Sequence, residues 1–127
     1  MKLIVTTFFS VCILFFSSCK SISETQIDVL VVGGGASGVT SGIQSARMGA
    51  NTLIVEETPW LGGMLTSAGV SAIDGNYKLP AGLWGEFKQS LTNYYGGLDS
   101  LKTGWVSNVL FEPSVGNNIL NGMVSRE

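Results

Sequence analysis

Residues 27–56 read IDVLVVGGGASGVTSGIQSARMGANTLIVE, and their order of residue types decides the fold. Ile27 to Val32 (IDVLVV) is a largely β-branched run, the kind that forms a strand buried on both faces of a parallel sheet. Gly33-Gly34-Gly35-Ala36-Ser37-Gly38 follows without a spacer. Val39, Ile43 and Ala46 then recur at spacings of four and three, which predicts an amphipathic helix ended by Gly49. Thr52 to Val55 is a second strand, and Glu56 stands at its C-terminal end. Strand, glycine turn, helix, strand and acid make a βαβ unit of an α/β, Rossmann-like domain.

The glycines are spaced for a phosphate-bearing ligand. Gly33 permits the tight turn out of the strand, Gly35 lets a pyrophosphate approach the backbone, and Gly38 lets the helix pack against the sheet. Gly42, one turn on, extends the thin face. Ala36 and Ser37 sit at the helix N-terminus, where unpaired N–H groups and the positive end of the dipole favour anions without any basic side chain. Glu56, 23 residues after Gly33, is placed to accept hydrogen bonds from ribose hydroxyls. The fingerprint itself serves NAD and FAD alike.

The next stretch discriminates between them. Glu56 is followed by Gly62-Gly63-Met64, and at this point the sequence resembles the FAD-dependent oxidoreductases of the glutathione-reductase-like fold. In that group an acid ends the second strand and a Gly-Gly pair follows; Glu57 stands where the group usually carries arginine. Over Trp60 to Asn76 (WLGGMLTSAGVSAIDGN) and on through Leu83-Trp84, the sequence is similar to a bacterial FAD-dependent oxidoreductase family that includes relatives of heterodisulfide reductase. The likeness spans about Ile27 to Met123. It implies FAD as cofactor, with Gly62, Gly63 and Met64 passing beside its flavin end or its phosphates. It also implies redox chemistry on a small-molecule substrate or electron acceptor. Some relatives hold an iron–sulfur cluster through cysteine motifs, and no such motif occurs here. An NAD(P)-dependent dehydrogenase would explain the fingerprint and the acid but not Gly62-Gly63. A non-catalytic surface lipoprotein with a relic dinucleotide-binding fold is the third reading.

Upstream, Lys2 precedes a nearly unbroken apolar run, Leu3 to Phe16, that ends in Ser17, Ser18 and Cys19. The run falls short of the ~20 residues of a spanning helix and has the form of a secretory signal peptide over residues 1–18. Phe16-Ser17-Ser18-Cys19 resembles a bacterial lipobox, which implies lipidation of Cys19 and an exported periplasmic or outer-membrane lipoprotein held to the membrane by that lipid. Residues 19–26 read as a polar tether. No arginine pair follows the initiator, so a twin-arginine route for a cofactor-loaded protein is unsupported.

Composition supports these exclusions. Of 127 residues 13% are charged, against about 25% in an average soluble domain. The net charge of −2 excludes an electrostatic nucleic-acid binder. Histidine is absent and there are two cysteines, so no imidazole mechanism and no four-ligand zinc site can be assembled. Six of the 17 glycines lie between Gly33 and Gly49.

Downstream, Leu83, Phe87, Leu91 and Tyr94/Tyr95 predict a helix over Ala81–Tyr95 that Gly96-Gly97 stops. Trp84 and the tyrosines are read as core rather than pocket lining. Leu101 to Phe111 reads as a loop or short strand. Glu112-Pro113 opens a last helix with Val115, Ile119, Leu120 and Met123 on its apolar face. Asp74 reads as a turn aspartate, and Lys78 and Glu86 as solvated surface. A complete domain of this type needs further parallel strands, so residues 27–127 are expected to be the N-terminal part of a FAD-binding domain. The catalytic acid or base is not visible in it.

Overall fold

The computed structural model describes residues 24–127. The signal sequence, Cys12, the lipidation candidate Cys19 and the first part of the tether lie outside them. No helix among the described residues is long and apolar enough to cross a membrane.

Two parallel strands, β1 (Val29–Val32) and β2 (Thr52–Val55), pair in register from Val29 with Thr52 to Val32 with Val55. Helix α1 (Ala36–Arg47) connects them. It stops where Gly49 takes a φ of +90°, a conformation that strains any residue with a Cβ. Asn51 ties the start of the unit together, its N–H donating 2.8 Å to Asp28 Oδ2.

α1 has two working faces. On one, Gly38 and Gly42 lie against the sheet: a Cβ on Gly42 would stand 2.5 Å from Ile54 Cδ1. On the other, Val39 and Ile43 are buried in a cluster with Phe87 and Leu91 of α2 (Gly82–Tyr94) and Val115, Leu120 and Met123 of α3 (Pro113–Val124). The helix is therefore the middle layer between the sheet and the α2–α3 pair. Pro113 opens α3 at a position where its missing N–H removes no helical bond.

The segment expected to be a loop or short strand does more than connect. Leu101, Val109 and Phe111 are buried in the same cluster, and Phe111 meets Phe87 edge to face at 5.4 Å between ring centres. An isolated antiparallel bridge between Ala72 and Leu110 anchors it, with Ile73 N–H donating to the Val109 carbonyl at 3.0 Å. The buried Ser107 hydroxyl bonds the Ile73 carbonyl.

Three expectations are corrected. The strands are not covered on both faces: Leu30, Val32, Leu53 and Val55 are 45–80% exposed on the side away from α1. A continuous apolar run satisfies either arrangement, and within the described residues only α1 packs on this sheet. Tyr94 leaves the apolar face of α2 and is exposed, while Tyr95 turns in and its hydroxyl accepts from Glu112 N–H. Glu86 is not simply solvated, since both its carboxylate oxygens take hydrogen bonds from Arg47 at 2.7 and 2.8 Å.

Candidate functional site

The site begins where β1 runs out. Gly33 takes a φ of +100°, so the turn out of the strand requires a residue without a Cβ. Its N–H still donates to the Val55 carbonyl at 2.8 Å, which holds the loop to the end of β2. A Cβ on Gly38 would stand 1.8 Å from the Gly33 carbonyl oxygen, so α1 can approach this turn only with glycine there. Gly34 is buried, and a Cβ on it would strike Leu61 and Glu56 at 2.8 and 2.9 Å.

Gly35 differs from these three. Its φ is −63°, which any residue adopts, and a Cβ there would meet no protein atom within 4 Å. Neither backbone strain nor packing calls for glycine at this position. A group that must come close to the backbone from outside does. The adjoining helix end is prepared for an anion. The first helical hydrogen bond runs from Val39 N–H to the Gly35 carbonyl at 2.9 Å, so the amides of Ala36, Ser37 and Gly38 precede the ladder. No side chain caps them, and no acid lies in the first turn. Ala36 and Ser37 are exposed.

Glu56 turns back over this loop. Its Oε2 accepts from Gly34 N–H at 2.5 Å, and Oε1 accepts from Thr58 N–H at 3.0 Å. The Thr58 hydroxyl lies 2.8 Å from Oε1 and 2.9 Å from the Trp60 carbonyl, so its one proton serves either. These bonds favour the charged form, Thr58 N–H most and Gly34 N–H next, and hold the carboxyl below the usual glutamate range. A carboxylate oxygen has two acceptor positions, so Oε2 retains one for a hydroxyl donor.

Gly62 and Gly63 are not a separate turn. Gly62 N–H donates to the Gly34 carbonyl at 2.7 Å, and an isolated parallel bridge pairs Gly62 with Gly35. Their φ values of +110° and +53° both favour glycine. A Cβ on Gly63 would lie 3.1 Å from Gly35 Cα, so the two glycine segments are in backbone contact. The segment is fastened from below. Leu61 N–H donates to Asn117 Oδ1 of α3 at 2.9 Å, and the buried Thr66 hydroxyl donates to the Leu61 carbonyl at 2.6 Å. Met64 follows in a short 3-10 turn (Gly63–Leu65) and is exposed.

The structure thus brings Gly33, Gly35, Ala36, Ser37, Gly38, Glu56, Gly62 and Gly63 together, with Met64 at the rim. Sequence reasoning missed Thr58, Thr66 and Asn117. Thr58 carries a faint local signal, a hydroxyl two residues after the acid. Thr66 and Asn117 act through contacts that no spacing reveals. Asp74 is exposed in a loop and makes none of these contacts. Among the described residues no group of histidine, cysteine, aspartate and glutamate could hold a metal ion.

The donor set fits a dinucleotide: amides for a pyrophosphate, an open approach at Gly35 and a remaining acceptor on Glu56 for a ribose hydroxyl. A sequence model of the FAD-dependent oxidoreductase family matches residues 28–127. The chain is also similar to the carotenoid phi-ring synthase of Chlorobaculum tepidum, with 29% identity over 96 residues. That likeness covers 76% of this chain and 14% of the length of the relative. No solved structure matches.

Proposed function

Because the chain belongs to the FAD-dependent oxidoreductase family, we propose that it is the cofactor-cradling portion of a flavoenzyme acting on a small-molecule substrate or electron acceptor. One observation carries the reading: Gly35 faces open space where neither strain nor packing demands glycine. The amides of Ala36, Ser37 and Gly38 receive the pyrophosphate, and Glu56 Oε2 receives a ribose hydroxyl. The bridge from Gly62 to Gly35 lays the second glycine segment along the first, which supports a place for Gly63 and Met64 beside the same ligand. FAD, when bound, supplies the hydride or electron transfer, and the residues of this chain bind and orient it.

The test is flavin loading. The protein, purified or reconstituted with FAD, is expected to show a bound-flavin absorption spectrum, and Gly35→Val to abolish it. A colourless protein that takes up no FAD overturns the proposal.

We further propose export and lipidation at Cys19, on the strength of the Leu3–Phe16 run and the Ser17-Ser18-Cys19 sequence. Metabolic labelling with a radioactive fatty acid is expected to mark the protein and to fail on Cys19→Ala. Equal labelling of both overturns it.

A further inference from the structure

A cleft of about 350 Å³ shares no lining residue with the glycine loops or Glu56. Its charge is unlike that of the chain around it. Three lysines from three separate segments line it, Lys78 from the loop before α2, Lys88 from α2 and Lys102 from the turn after α2, and no acid does. The chain as a whole carries a net charge of −2.

The three ammonium groups differ in how firmly they are held. Lys88 Nζ donates to the carbonyls of Tyr77 and Leu79, both at 2.9 Å, leaving one of its three N–H donors over. Lys78 Nζ lies 5.8 Å from the centre of the Tyr77 ring. Lys102 pairs with Asp99 at 2.9 Å, but the Asp99 side chain is 95% exposed, so solvent screens that attraction. Asn108 adds an amide to the rim, and Leu98 and Val109 supply apolar surface. The volume is at the small end of ligand clefts, about 300–1,000 Å³.

We propose that this cleft binds a small organic carboxylate with an apolar body. Three lysines against one solvent-screened acid, Asp99, select an anion, and the fixed Lys88 ammonium offers it a preplaced donor. Leu98, Val109 and the Tyr77 ring face the part of the ligand that is not charged. Separate ammonium groups around an apolar surface suit a carboxylate on a hydrocarbon better than a bare phosphate.

The experiment titrates the isotope-labelled full chain with benzoate, benzyl alcohol and inorganic phosphate, following the amide resonances of Tyr77, Lys88 and Asn108. Benzoate is expected to shift them saturably, with the other two probes at least about tenfold weaker. A double variant, Lys78→Gln with Lys102→Gln, is expected to weaken benzoate about tenfold at an unchanged melting temperature. Benzyl alcohol binding as well as benzoate would reduce the cleft to an apolar hollow, and phosphate binding as well would reduce it to diffuse positive charge; either overturns the proposal. So does the absence of a saturable benzoate response. None of these readouts involves flavin, so failure here and failure of the FAD reading are separable.

Discussion

The Glu56 carboxylate and the Gly34 amide are joined at 2.5 Å, so the acid at the end of β2 fixes the glycine loop at the end of β1. Thr58 N–H and Gly34 N–H both stabilise the charged carboxylate and lower its pKa. A group whose folded pKa is lowered stabilises the fold fully above its unfolded value, about 4.3 for glutamate, and loses that contribution as pH falls through the folded value. Urea midpoints are therefore expected to fall from pH 6 to pH 3, and to fall less steeply in Glu56→Gln. Glu86, lowered by Arg47, keeps the slope of the variant above zero. Identical slopes in the two proteins would mean that Glu56 contributes nothing to the pH dependence of stability.

Gly35 and Gly38, three residues apart, are expected to respond oppositely to alanine. Gly35→Ala places a methyl group in open space at an ordinary φ, so unfolding free energy is expected to stay within about 0.5 kcal/mol while FAD affinity falls. Gly38→Ala drives a methyl group into the Gly33 carbonyl and is expected to cost about 3 kcal/mol or more. Denaturation and flavin binding measured on both variants separate the cradle from the packing. A Gly35→Ala protein that unfolds easily would mean that Gly35 serves the fold.

Gly62 tests whether the second glycine segment is part of the same frame. It is buried, its φ is +110°, and a Cβ would lie 2.7 Å from both Leu120 and Thr66. Gly62→Ala is expected to lose about 2–4 kcal/mol in denaturant unfolding, from strain and overpacking together. A loss under about 1 kcal/mol would show that the segment can leave Gly34 and Gly35 freely.

The βαβ unit was legible because three of its glycines answer local needs: the turn at Gly33, the contact at Gly38 and the helix end at Gly49. Gly62 and Gly63 were legible as a pair but not as a neighbour of Gly35, since that bridge depends on α3 holding Leu61 through Asn117. The contribution of Leu101, Val109 and Phe111 to the core was illegible for a different reason. They reach it from irregular backbone, which has no period to read. The uncovered face of the sheet could not be read either, because a run such as Val29 to Val32 is apolar on both sides whichever side is covered.

Arg47 and Glu86 bring the clearest long-range ion pair, 39 residues apart and invisible to helix spacing. The guanidinium joins α1 to α2 through two bonds to Glu86 and reaches Glu127 through Nε at 2.8 Å. Both carboxylates push the already high Arg47 pKa further up, so the pair stays charged throughout the neutral range. Its side chains are 31% and 41% exposed, and exposed pairs contribute little after solvent screening. Arg47→Lys, which loses the two-pronged geometry, is expected to lower the urea midpoint slightly in 50 mM salt. The difference from the parent is expected to shrink in 1 M salt, where the screening length falls to about 3 Å. Urea unfolding at the two salt concentrations measures it. A loss that persists unchanged in high salt would mean that the packing of the Arg47 stem, not its charge, holds α1 to α2.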